Sequence, residues 1–245
     1  AEVFAKARAQ LSKTNRNQFA PEQIVKCVEA AVNSATFDDG MDAERRLFAE
    51  CMQDPQREAL IHIFFAERAA NKIPGLSKEM PLIEINKGSV IGAGTMGGGI
   101  VMCFANAGIP VRMYDNDADN LARGMKVIEG NYARTVAKGR LKQADMDKRI
   151  ALIEPTTDFD ALGDGDIVIE AVYENLDLKK EIFTRLDKVM KPGAILATNT
   201  SALDVDAIAA VTSRPDFVCG MHFFSPANVM RLLEVVRGKD SSPTV

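Results

Sequence analysis

Three patterns in this 245-residue chain combine residue types and spacings that can do chemistry. The first is Gly92-Ala93-Gly94-Thr95-Met96-Gly97, a G-x-G-x-x-G turn. In such a turn Gly92 makes the tight bend, Gly94 lets the backbone approach a pyrophosphate, and Gly97 lets a helix pack closely on a strand. Asp115 lies 23 positions after Gly92, near the ~20 at which a carboxylate accepts hydrogen bonds from an adenosine ribose. It would repel a 2′-phosphate, so the pattern points to NAD over NADP, with a flavin dinucleotide as the main competitor. The second pattern is a set of polar residues that close apolar runs: Glu170 with Glu174, Asn199 to Ser201, and His222. The third is His222, one of two histidines, followed at 12 residues by Glu234. Oxidising an alcohol needs a group that takes the hydroxyl proton, and a carboxylate beside an imidazole fixes its tautomer and stabilises the imidazolium. Ser201 would supply a hydroxyl that orients the substrate oxygen. The plainer alternative, a strand-end histidine satisfied by ordinary hydrogen bonds, stands beside this reading.

The elements around these residues alternate between strand and helix. Ser89-Val90-Ile91 reads as a strand, Gly98 to Ala107 as a helix closed by Gly108, and Val111 to Tyr114 as a strand ending at Asp115. A helix follows from Asn116 to about Gly139, and further strands fall at 166–169, 195–198, 217–221 and 232–236. That alternation predicts an α/β fold with a Rossmann-type, doubly wound, mainly parallel sheet. In such sheets ligands sit beyond the carboxyl ends of the strands, so the polar closing residues converge there. The charged stretch Leu141 to Ile150 carries no evident chemistry, and Lys138 and Arg140 read as solvated charges that a phosphate-bearing substrate could use.

Ahead of this part the chain reads as helical throughout, and punctuation by Pro74, Gly75 and Pro81 places a boundary there. We therefore expect a helical segment over residues 1–80 and a cofactor-binding domain over 81–245. Pro21 suits the first turn of a helix carrying Ile24, Val25, Val28 and Val32, and Asp54-Pro55 form an N-cap and N1 pair before Leu60, Ile61, Phe64 and Phe65. His62 has no partner spaced with it and reads as a structural or surface residue.

Composition excludes several classes. The formal charge is −4 and no long Lys/Arg block occurs, which argues against nucleic acid or anionic membrane as the main partner. No run approaches the ~20 apolar residues of a bilayer-spanning helix. Cys27, Cys51, Cys103 and Cys219 form no C-x-x-C, so neither a zinc site nor a disulfide framework is expected, and a reducing compartment fits. The chain opens inside a helical pattern with no signal peptide, as a piece of a longer protein would.

The glycine motif, Glu174-Asn175-Leu176, Asn199-Thr200-Ser201, and His222-Phe223-Phe224-Ser225-Pro226 through Glu234-Val235-Val236 together resemble the L-3-hydroxyacyl-CoA dehydrogenase family. The resemblance runs from about Lys87 to Gly238. It implies His222 as the catalytic base, Glu234 as its carboxylate partner, and Ser201 as a contact of the substrate hydroxyl. It places Glu174 and Lys179 near the nicotinamide and its ribose, with Asn199 also at the cofactor. Ser225 stands where many single-function members have asparagine, and serine there is more like the multifunctional fatty-acid β-oxidation enzymes. Residues 1–80 resemble the helical segment that joins an enoyl-CoA hydratase domain to the dehydrogenase domain in those enzymes. The resemblance further implies an acyl-CoA substrate and a homodimer or a fatty-acid oxidation complex for the full-length protein. The expected location is cytoplasmic, or peroxisomal in a eukaryote. The hydratase core and the C-terminal helical domain of the family are absent from these residues. Two other outcomes stay open: a Rossmann dehydrogenase for another hydroxy substrate, and a cofactor-binding piece without turnover.

Overall fold

The structure, a computed structural model, describes residues 2–70, 72–73, 76 and 79–245. The chain divides into two compact units, Ala1–Leu76 and Ser77–Val245. Pro74 and Gly75, part of the punctuation between the two, lie outside the described residues.

Among its described residues the first unit is built from four helices, α1 (Glu2–Thr14), α2 (Phe19–Asn33), α3 (Phe37–Gln53) and α4 (Pro55–Ala70). Their starts follow local chemistry. Thr36 and Asp39 form a reciprocal capping box on α3. The Asp54 side chain accepts the Gln56 N–H at 2.8 Å with Pro55 at the first helical position. Arg8 ties α1 to α2, donating to Glu22 at 2.7 Å and to Glu29 at 2.8 Å. The apolar face read along α2 is not its buried face: Ile24, Val28 and Val32 are exposed and Gln23 is buried. On α4, Leu60, Ile61, Phe64 and Phe65 are likewise exposed, as is His62. Helical periodicity therefore located these helices but not the surface each covers within this unit.

The second unit carries a seven-stranded sheet: β1 (Gly88–Ile91), β2 (Val111–Tyr114), β3 (Ile153–Thr156), β4 (Ile167–Glu170), β5 (Ile195–Thr198), β6 (Val218–Phe223) and β7 (Leu233–Arg237). Their order is β3-β2-β1-β4-β5-β6-β7, parallel except for β7, which runs antiparallel to β6. Helices α5 (Thr95–Asn106), α6 (Ala118–Ala137), α7 (Gln143–Ala151), α8 (Leu176–Val189) and the short α9 (Val205–Ala209) connect the strands. The order reverses between β1 and β4, the switch point at which such sheets open a crevice. Strands β1, β4 and β5 are buried along their whole length, which is why they read as apolar runs rather than alternating ones. Successive residues feed opposite cores: Val90, Ile169 and Ala197 join Ile100 and Ile128 on one face, while Ile91, Val168 and Leu196 join Phe183, Leu186 and Ile208 on the other. Among the described residues no helix is long and apolar enough to cross a membrane.

Three differences from the sequence reading have local causes. Strand β3 was not anticipated, because Ile153-Glu154-Pro155-Thr156 is short and holds a proline, which is tolerated at a sheet edge. The segment 143–151 is a helix that sets only Met146 and Ile150, both half-buried, against the core, an apolar stripe too short to stand out among its charges. His222 lies within β6 instead of following it, since β7 pairs beside it and extends that strand to Phe223.

Tight packing holds the glycine turn. Gly92 has φ +104°, a left-handed conformation. A Cβ at Gly97 would stand 1.8 Å from the Gly92 carbonyl oxygen, whereas a Cβ at Gly94 would meet nothing within 4 Å. Gly97→Ala must push α5 off β1 and is expected to destabilise the fold by about 2–4 kcal/mol. Gly94→Ala is expected to cost at most about 1 kcal/mol, through a poorer helix cap. Thermal melts of the two variants in the full-length protein test this, and equal losses of Tm would show that the close contact does not govern stability.

Candidate functional site: a dinucleotide cleft and a histidine–glutamate pair

The parallel register sets the strand ends level. Tyr114 pairs with Ile91, Ile91 with Glu170, and Glu170 with Thr198. The residues just beyond these ends, Gly92, Asp115, Ala171 and Asn199, therefore emerge along one edge. A cleft of about 880 Å³ opens there, bounded by the glycine turn, Asp115, Asn120, Arg123 and Tyr173.

Within it the turn offers the features a pyrophosphate needs. Gly94 and Thr95 are exposed at the tip, Met96 is half-buried, and Gly97 is buried against Gly92. Helix α5 begins at Thr95, earlier than its apolar run suggested, so the N–H groups of its first turn face the cleft mouth without helical acceptors. Asp115 Oδ2 accepts the Ala93 N–H at 2.9 Å, and Oδ1 accepts from the Asp117 N–H at 3.1 Å and Asn120 Nδ2 at 3.3 Å. The carboxylate is thus clamped beside the turn, with a lone pair of Oδ2 left for a ribose hydroxyl. Open space at Gly94, free helix N–H groups and a fixed acid match an adenine dinucleotide lacking a 2′-phosphate. Farther along the cleft, Arg185 stacks over the Phe159 ring at 3.8 Å. Asn120, Arg123, Phe159 and Arg185 were not singled out from the sequence. They belong to no motif, and only the packing of α6, α8 and the segment after β3 beside the turn brings them to the cleft.

At the other end of the row the polar residues form two groups. In the first, Glu174 Oε1 accepts from Thr200 Oγ1 at 2.6 Å, from the Ser201 N–H at 2.9 Å and from Ser201 Oγ at 3.2 Å. Partial burial works against the Glu174 charge, but the hydrogen bonds from Thr200 and Ser201 and the nearby Lys179 outweigh it and hold the carboxyl below its usual range. Lys179 is buried, with Nζ 2.7 and 2.8 Å from the two oxygens of the equally buried Glu170 and 3.5 Å from Glu174 Oε2. In the second group, His222 Nδ1 is 2.8 Å from Glu234 Oε2, two residues directly opposite in the β6–β7 ladder. The His222 ring lies 4.6 Å from that of Phe224. Asn199 bridges toward this group by accepting the Phe223 N–H on Oδ1 at 2.8 Å. The sequence reading placed Lys179 near the nicotinamide, and the structure puts its ammonium on Glu170. That pairing crosses the β4–α8 loop and has no signal beyond a glutamate ending an apolar strand. Among the described residues no group of three or more His, Cys, Asp or Glu side chains is placed to hold a metal ion.

Comparison with known proteins agrees with this geometry. The peroxisomal bifunctional enzyme of Homo sapiens is 42% identical over 246 residues, covering 99% of this chain and 34% of that protein. The crystal structure of 3-hydroxybutyryl-CoA dehydrogenase from Escherichia coli superposes with a TM-score of 0.64 at 39% identity, covering 65% of this chain and 34% of that one. The dehydrogenase part of multifunctional enzyme 1 from C. elegans gives a TM-score of 0.62 at 35% identity, over 70% of this chain and 40% of that one. The chain spans about a third of the length of the curated relatives it matches. Residues 87–245 match the family described as 3-hydroxyacyl-CoA dehydrogenase, NAD binding domain. With its glycine turn, its clamped Asp115 and this match over most of its length, the chain belongs to the 3-hydroxyacyl-CoA dehydrogenase family through its NAD-binding domain.

Proposed function

We propose that the full-length protein containing this chain oxidises L-3-hydroxyacyl-CoA to 3-ketoacyl-CoA with NAD, as a step of fatty-acid β-oxidation, and that these residues hold the cofactor half of the site. The observation that carries the reading is the His222–Glu234 pair at the carboxyl edge of an NAD-binding sheet. Residues 1–80 are the helical segment leading into the dehydrogenase domain, 81–245. The names of the human and plant relatives support a peroxisomal location. A homodimer or a larger oxidation complex is the assembly that goes with this reading.

NAD bound in the cleft supplies the two-electron acceptor. Gly92, Gly94, Thr95, Met96 and Gly97 take its pyrophosphate, and Asp115 takes the adenosine ribose. Glu174 and Asn199 stand at the nicotinamide end, with Lys179 buried beside Glu174. His222 is the base: Glu234 on Nδ1 fixes the tautomer in which Nε2 carries the lone pair, so Nε2 is the atom that accepts the substrate hydroxyl proton. The positive imidazolium that results is stabilised by the same carboxylate, 2.8 Å away. Ser201, its N–H and hydroxyl already oriented by Glu174, presents the hydroxyl that holds the substrate oxygen. Clamping Ser201 before substrate arrives lowers the entropy lost on binding.

The direct test is acetoacetyl-CoA reduction by NADH with the full-length protein; no rate above a blank, together with oxidation of an unrelated hydroxy acid, would overturn the substrate assignment. His222→Gln is expected to lower kcat by about 10²–10⁴-fold while NADH affinity, read by fluorescence titration, stays at the wild-type value. A variant that keeps its rate would remove His222 from the chemistry. Gly94→Ala fills the space the pyrophosphate uses and is expected to weaken NADH by about 10-fold or more, close to 1.4 kcal/mol, with Tm nearly held. Unchanged affinity would place the dinucleotide elsewhere.

A further inference from the structure

Glu170 takes no part in the proton or hydride transfer, yet it occupies a costly position. It ends β4 after Ile167-Val168-Ile169 and is wholly buried. Taking a carboxylate out of water costs several kcal/mol unless its lone pairs are satisfied, and an apolar residue of similar size would complete the strand without that cost.

The role of the charge is visible in its partners. Oε1 accepts the Val172 N–H at 2.7 Å and Lys179 Nζ at 2.7 Å. Oε2 accepts Thr198 Oγ1 at 2.7 Å and Lys179 Nζ at 2.8 Å. These donors come from three segments: the β4–α8 loop, the end of β5 and the first turns of α8. Lys179 is 1% exposed, so its ammonium has no water to turn to. Its remaining anionic neighbour is Glu174, at 3.5 Å. Glu174 in turn holds Thr200 and Ser201 with its other oxygen. The Glu170 carbonyl also accepts the Asn199 N–H at 2.8 Å, and the Asn199 side chain holds Phe223 beside His222.

We propose that Glu170 is a positioning residue for the nicotinamide and substrate end: by holding Lys179 it sets how strongly Lys179 pulls on Glu174, and thereby where Ser201 stands. Without the Glu170 charge, the buried ammonium has one carboxylate left and draws Glu174 off the Thr200–Ser201 turn. Displacing such groups by about 1 Å is enough to cost up to 100-fold in rate. The proposal rests on Ser201 and Glu174 serving the substrate and nicotinamide as proposed for the full-length enzyme, and its test separates the two.

Full-length Glu170→Gln, Glu174→Gln and the double variant are compared for NADH affinity by fluorescence, for KM and kcat with acetoacetyl-CoA, and for Tm. Glu170→Gln is expected to weaken NADH and raise KM by between about 10-fold and 100-fold. The double variant is expected to lose no more than the worse single one, because both changes act through Glu174. Thr198→Val keeps the ion pair, removes one of the two donors to Glu170 Oε2 and is expected to give a smaller loss in the same two quantities, which serves if Glu170→Gln does not fold. A lowered Tm with wild-type NADH affinity and KM in Glu170→Gln, or in Thr198→Val where it alone folds, would make the role structural only. Losses that multiply in the double variant would overturn the route through Glu174. If the wild-type protein binds NADH but does not reduce acetoacetyl-CoA, the substrate reading fails, and the NADH affinities of the same variants still decide the role of Glu170.

Discussion

The parallel register of β2, β1, β4 and β5 is the constraint on which the rest of the site depends. Because Tyr114, Ile91, Glu170 and Thr198 lie level, four connections leave the sheet along one edge, and their first residues become neighbours although they are far apart in the chain. The hydrogen bonds that hold this row are backbone bonds, indifferent to side chain. The four connections themselves differ in kind: a glycine turn, an aspartate, a short loop ending in Glu174-Asn175 and an Asn-Thr-Ser turn. The apolar strands beneath, buried on both faces, cannot shift register without carrying a buried side chain into the opposite core.

The proposed base, His222, is positioned by a different device. Pairing of β6 to its parallel neighbour β5 stops at Gly220, so no parallel strand supplies a carboxylate level with His222. The antiparallel hairpin of β6 and β7 does so, because residues directly opposite on such a pair project to the same face at short distance. β6 overhangs β5, whose pairing to it ends at Thr198 and Gly220, so Met221, His222 and Phe223 are supported by β7 on one side and by the Asn199 side chain on the other. One sheet thus combines a parallel part that gathers loops around the cofactor cleft with a single antiparallel pair that fixes the His222 imidazole.

Between these parts lies a dry electrostatic layer. Glu170 and Lys179 are paired in surroundings where neither meets solvent, and Glu174 at the rim stays charged because hydrogen bonds from Thr200 and Ser201 outweigh its partial burial. Charges held this way are strongly coupled, since little water is present to screen them. A buried charge thus fixes a polar turn from beneath while Ser201 stays exposed above it.

By itself the sequence determined the class of fold, the glycine turn with its aspartate, the helical character of the first unit and the identity of the histidine–glutamate pair. Each rests on short-range information: strand and helix periodicities, turn chemistry, and motifs whose residues lie within one element or a fixed spacing. Tertiary structure alone decided that β3 exists, that His222 lies inside a strand, that α2 and α4 leave Ile24, Val28, Phe64 and Phe65 exposed, and that Lys179 faces Glu170. Those outcomes turn on which surfaces meet. Ile153-Glu154-Pro155-Thr156 becomes a strand because β2 offers it a free edge, and Lys179 is buried because α8 brings it over the end of β4. Spacing along the chain carries no record of such meetings, since the energy that selects them comes from partners many residues away.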